Sequence, residues 1–171
     1  MGKIKGGFTL IELLVVLGVA ATVGTIVANL FFANLRAAAK TKALTEVKQN
    51  GDYALSVMER MIRNAKKIQL NTSGKTCESG MSNLKILNSD GGTTEFICDA
   101  VNEQIASNSA FLTSDKLTLS TLSTCSFSCD QPAGKPAVID ISFTLEKGNV
   151  SLGREFTAEA SFHATVSARL Y

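Results

Sequence analysis

The side chains able to do chemistry are few and scattered. Cys77, Cys98, Cys125 and Cys129 form an even set that allows three pairings. Cys125 and Cys129 are spaced CxxxC, there is no paired CxxC, and the sole histidine, His163, lies far along the chain, a pattern that does not suit zinc. His163 alternates with Ser161 and Thr165 and has no nucleophile–base constellation around it, so it reads as a solvated surface residue. Asp90, Asp99, Asp115, Asp130 and Asp140 lack calcium-loop spacing. Gly91-Gly92 is followed by no helical pattern and reads as a turn, not a phosphate loop. We therefore expect no catalytic residue, no metal and no cofactor. Arg60, Arg63, Lys66 and Lys67 could touch a nucleic-acid backbone, but they read as a solvated helix face with acidic neighbours, so nucleic acid is not an expected partner.

Glu12 is different. It is the single charge in Phe8 to Ala28, FTLIELLVVLGVAATVGTIVA. As a helix these residues span roughly 30 Å, one bilayer core. A carboxylate there costs roughly 2.5–3.5 kcal/mol or more. Complementing the positive helix N-terminus returns only about 0.3–1 kcal/mol, so a helix-end role alone does not explain it. An ordinary secretory peptide has a shorter apolar region without an acid, and is itself removed at a small-residue site. Ala37-Ala38-Ala39 imitates such a site, but the run before it is too long and contains Glu12. Lys3 and Lys5 on one side, and Arg36, Lys40 and Lys42 on the other, give nearly equal positive flanks, so charge does not orient the segment.

The elements around Glu12 are legible by period. Apolar residues from Leu35 through Val47, Met58 and Ile62 to Ile68 recur at three- and four-residue steps, with a slip near Gly51. We expect one helix from Phe8 to about Ile68, roughly 90 Å long, apolar all round at its front and amphipathic behind. Beyond Asn71 alternation replaces the helical period. Leu84 to Ile86 and Thr94 to Cys98 flank Asn88-Ser89-Asp90-Gly91-Gly92, a hairpin signal. Val138 to Leu145 and Arg154 to Tyr171 read as strands, the second long enough to require a bulge or break. The expected fold is α+β: a long N-terminal helix with an antiparallel sheet packed on its rear half. Arg36 to Lys67 carries eight basic and three acidic residues, and Ile68 to Tyr171 seven basic and eleven acidic, so a basic stalk bears an acidic head.

The stretch GFTLIELLVVLGV, Gly7 to Val19, behind the short basic leader MGKIKGG, resembles the class III signal of type IV prepilins and type II secretion pseudopilins. The resemblance covers about the first 30 residues. It implies cutting between Gly7 and Phe8 by a prepilin peptidase, N-methylation of Phe8, and assembly through Phe8 and Glu12. It also implies a leader in the cytoplasm, a head outside, and partners in other pilin subunits, an inner-membrane assembly platform and the lipid bilayer before assembly. The division expected is 1–7 leader, 8–35 transmembrane or filament-core helix, 36–68 amphipathic helix and 69–171 head. Many major pilins have a proline in the later part of this segment, and Phe8 to Ile68 has none. SVMERMIRNAKKI, Ser56 to Ile68, and the ending FHATVSARLY are similar to minor pilins and some pseudopilins. The function expected is structural: a minor pilin or pseudopilin, with a major filament subunit or a membrane-tethered binding domain as alternatives. For a head outside the cytoplasm, disulfides are the default. We expect Cys77–Cys98 to bracket the hairpin and Cys125–Cys129 to close a short loop.

Overall fold

The computed structural model describes residues 7, 9–120, 125–132, 134–148 and 156–168. They form two compact units, Met1–Ala39 and Lys40–Tyr171. Helix α1, Leu10–Arg63, runs through the first and into the second. No proline interrupts it, and its last turn carries Arg60 and Arg63, which suit the negative C-terminal end of the helix. The helix ends sooner than its apolar period suggests. The Ala65 N–H donates to the Ile62 carbonyl in a tighter turn, and Lys66 donates to the Leu87 carbonyl at 2.8 Å, which diverts the chain into a strand. Ile68, expected on the helix, is buried in strand β1 (Lys67–Gln69) opposite Ile86.

The second unit holds nine strands, all antiparallel, among the described residues. Strands β1, β2 (Asn83–Leu87), β3 (Thr93–Asp99), β4 (Gln104–Ser107) and β5 (Ala110–Phe111) follow one another across one sheet. In the other, β8 (Val138–Lys147) is central. It pairs on one side with β6 (Thr118–Leu119) and β7 (Ser126–Asp130), and with β9 (Ala158–Ser167) along ten residues. The expected hairpin is β2–β3. Gly91 at φ 88° and the Gly92 N–H donating to Asp90 Oδ1 shape its turn. The expected C-terminal strand is confirmed at Ala158–Ser167, where Ala158, Phe162 and Val166 are buried and Glu159, Ser161 and His163 exposed. Phe156, inside the expected strand, lies before the observed one and is half exposed. Residues 154–155 and 169–171 of that expected strand lie outside the described residues.

Within the second unit α1 buries Ala43, Val47, Gly51, Ala54, Met58 and Ile62, at four-residue steps broken by one three-residue step after Gly51. The slip in the apolar pattern at Gly51 has a physical cause. A Cβ there would lie 2.1 Å from Cζ of Phe162, so the missing side chain is the space into which β9 packs its phenyl ring. That ring stacks on Phe143 at a centroid distance of 5.1 Å.

The cysteines pair differently from the expectation. The bonds are Cys77–Cys129 and Cys98–Cys125, with Cα separations of 4.8 and 6.0 Å. Cys129 lies on β7 and Cys125 directly precedes it, so their four-residue separation is extended to roughly 13 Å, well beyond disulfide reach. The backbone instead delivers each to a residue distant in sequence. Met81 and Phe127 exchange N–H···O bonds of 2.8 Å, and Cys129 donates to the Glu78 carbonyl, which brings Cys77 alongside. The β7 segment of the second sheet is therefore tied to β3 through Cys98 and to the connection between β1 and β2 through Cys77.

A polar cluster anchors the segment between β1 and β2. Glu95 is buried, and its carboxylate accepts from the Thr72 N–H at 2.8 Å, the Thr72 hydroxyl at 2.6 Å and the Asn83 amide at 2.8 Å. Asn71, also buried, donates to the Asn83 carbonyl at 2.7 Å. Burial is the largest influence on Glu95 and pushes its pKa up, but the Thr72 and Asn83 bonds and the nearby Lys85 charge together hold it below the ordinary 4.5. The ammonium of Lys147 bonded to Glu46 lowers that carboxyl, and Asn102 bonded to Asp99 lowers the other. Carboxyls lowered in the fold contribute stability above their unfolded values of 4.5 and 3.8, and lose it as pH falls through the lower folded ones. Thermal unfolding of the detergent-held protein should therefore have a flat midpoint from neutrality to about pH 5 and a falling one below about pH 4.5. Glu95→Gln should cost about 1–3 kcal/mol at neutral pH and shrink the acid loss. An undiminished acid loss in that variant would remove Glu95 from the account.

Candidate functional site

The first unit is defined by what its side chains do not bury. Leu10, Ile11, Leu13 and Leu14, and Leu30, Phe31 and Phe32 further along, are all more than half exposed. Leu10–Arg63 is the one helix, among the described residues, long and apolar enough to cross a membrane. Buried polar groups in lipid need internal partners, and this segment supplies them. Thr22 donates to the Val19 carbonyl at 2.8 Å, Thr25 to that of Thr22 at 2.8 Å, and Asn34 to that of Leu30 at 2.9 Å. The helix passes Gly18 and Gly24 without a break, and a Cβ at either would meet nothing within 4 Å. Both glycines thus present bare backbone to whatever surrounds the helix.

Glu12 sits in the first turn of α1. Its N–H donates to Thr9 Oγ1 at 3.3 Å, and the Leu13 N–H to the Thr9 carbonyl at 3.2 Å. Thr9 is therefore the N-cap, and Thr9-Leu10-Ile11-Glu12 has the spacing of a capping box. Sequence reasoning passed over Thr9, although the Thr-x-x-Glu spacing ahead of an apolar run was its signal. The cap starts the helix at a fixed residue, three before Glu12. Gly7 is exposed. Phe8 and residues 1–6, where the expected cleavage and methylation fall, lie outside the described residues.

The residues that could have hinted at an enzyme are not brought together. His163 is exposed on β9 opposite Ser142 of β8. Among the described residues no three of His, Cys, Asp or Glu form a group able to hold a metal ion. Arg60, Met61, Asn64 and Asp90 line an open cleft, and among the described residues no buried side-chain polar atom lacks a hydrogen-bond partner.

No curated protein and no solved structure matches the chain. Residues 2–28 match the family model described as the prokaryotic N-terminal methylation motif. That stretch contains Gly7, Phe8, Thr9 and Glu12 and most of the apolar segment. The chain thus carries the class III signal of type IV pilin-like proteins, and its N-terminus is of the prepilin type.

Proposed function

We propose that the chain is a structural subunit of a type IV pilus or a type II secretion-like filament, a minor pilin or pseudopilin. A prepilin peptidase removes residues 1–7, and the new amino group on Phe8 is methylated. Residues 8–35 hold the mature chain in the inner membrane and then form filament core. The amphipathic continuation and the disulfide-bonded head lie outside the cytoplasm. Two bonds between the sheets suit an oxidising compartment. The unbroken, proline-free helix favours a minor over a major subunit.

The observation that carries this reading is a methylation motif whose one membrane-depth acid, Glu12, is set in the first turn of an exposed apolar helix. After cleavage the Phe8 amine is cationic, and Glu12 lies about one turn deeper. Glu12 of an incoming subunit pairs with the Phe8 amine of one already in place. That attraction is stronger in low dielectric than in water, although desolvation offsets much of it. It also fixes axial register, which apolar helices alone leave loose. Intact mass and N-terminal fragmentation of membrane-purified protein should show a chain that begins at N-methylated Phe8. A start at Met1, or near Lys40, would contradict the reading.

A further inference from the structure

We propose that the second unit contacts a second copy of this chain through two surfaces on opposite sides, the outward face of the β6–β9 sheet and the outward stripe of α1. The inward face of that sheet packs on the helix: Phe162 occupies the space beside Gly51. Side chains on a strand alternate between faces, so the residues between the buried ones of β8 and β9 point away from the helix. They include Asp140 and Glu146 on β8 and Glu159 and His163 on β9, joined by Asp130 on β7. The other outward positions of β7, β8 and β9 are hydroxyl side chains, apart from Val138, and among the described residues there is no lysine or arginine on this face.

Glu146 and Glu159 stand directly opposite across the strands. Like charges so placed are unfavourable unless something compensates them. Lys40 and Lys147 line the cleft beside this pair. Lys40 donates to the Thr157 carbonyl, Lys147 is paired with Glu46, and the Ser120 hydroxyl donates to Glu159 Oε1 at 3.2 Å.

The outward stripe of α1 has the opposite sign. Positions a half-turn from the buried Val47, Ala54 and Met58 carry Lys42, Arg60 and Arg63, with Lys48 at the margin, all exposed. Asp52 lies within the stripe, and Glu59 pairs with Arg63 at 3.1 Å, so a net positive charge remains. The two surfaces are the outer sides of one helix-on-sheet layer. A contact between the stripe of one copy and the sheet face of the next is heterologous and leaves each pair with one unused stripe and one unused sheet face. This rests on the filament reading above and adds to it a head-level contact.

The test uses the full chain, in two differently tagged forms co-expressed in one membrane. One form carries Ser56→Cys on the stripe and the other Ser161→Cys on the sheet face, and a short bismaleimide joins them. We expect a cross-linked pair of the two tags. Its yield should fall roughly three- to tenfold when the stripe form also carries Arg60→Glu and Arg63→Glu. It should return when the sheet form also carries Asp140→Lys and Glu159→Lys. A missing cross-link, a yield indifferent to charge reversal, or capture of a different membrane protein alone would each overturn the proposal. Mature N-methylated chain in the same membranes keeps such a failure distinct from failure of the filament reading.

Discussion

Replacing Cys98 and Cys125 together by serine should lower head stability by about 3.5 kcal/mol, and replacing Cys77 and Cys129 by about 4 kcal/mol, in the chain-entropy model. The difference follows loop size, since the two bonds close sequence separations of 27 and 52 residues. Each joins β7 to the sheet that precedes it in the chain, so either alone still holds the two sheets together. Losing both leaves the Met81–Phe127 backbone pair and the shared core to join the sheets, and the combined loss should be smaller than the sum, because the first bond already shortens the loop closed by the second. Thermal unfolding with and without reductant measures the loss. Peptide mapping without reduction should return Cys77–Cys129 and Cys98–Cys125 linked fragments. A Cys125–Cys129 fragment would require β7 to be folded back on itself.

Gly51→Ala should destabilise, although the same change on an exposed helix ordinarily gains about 1 kcal/mol. Three ring atoms of Phe162 lie 2.1–2.4 Å from where the methyl carbon would sit. Phe162 is held from its other side by Phe143, so the ring has little room to retreat. Overpacking of this kind costs about 1–3 kcal/mol, enough to reverse the sign. Gly51→Leu should cost more and shift β9 off the helix. The coupling is the sharper readout. Phe162→Ala alone should cost about 3–5 kcal/mol, but in a Gly51→Leu background it should cost far less, because the new side chain fills the vacated space. Additive losses would mean that the ring and the glycine do not compete for one volume.

What the sequence disclosed depended on how far each signal reached. The helix, the Asn88–Gly92 hairpin, β8 and β9 were legible because each carries its own period over many residues. Strands β1, β4, β5 and β7 were not, since three to five residues such as Lys67–Gln69 or Ser126–Asp130 cannot establish alternation. The helix end was overrun for a related reason. Ala65 and Ile68 continue the apolar spacing, yet Ile68 is buried by a strand neighbour. The disulfides were read as local closures, whereas the Met81–Phe127 pairing that aligns them joins residues 46 apart and leaves no local trace. At the site, Glu12 was legible as a charge with no ordinary reason to be there, while its cap Thr9 was passed over despite the Thr-x-x-Glu spacing and is identified by its hydrogen bond.

The most direct test of assembly through Glu12 is competition for filaments between wild-type chain and Glu12→Ala, co-expressed with distinguishable tags. The substitution leaves the Thr9 cap, the apolar surface and the head intact, so membrane-bound mature protein should accumulate equally from both forms. In sheared filaments Glu12→Ala and Glu12→Gln should be depleted relative to wild type, and Glu12→Asp should fall between, because its shorter arm misplaces the charge. Equal entry of Glu12→Ala and wild type into filaments would contradict the account and leave Glu12 with no more than a helix-end role.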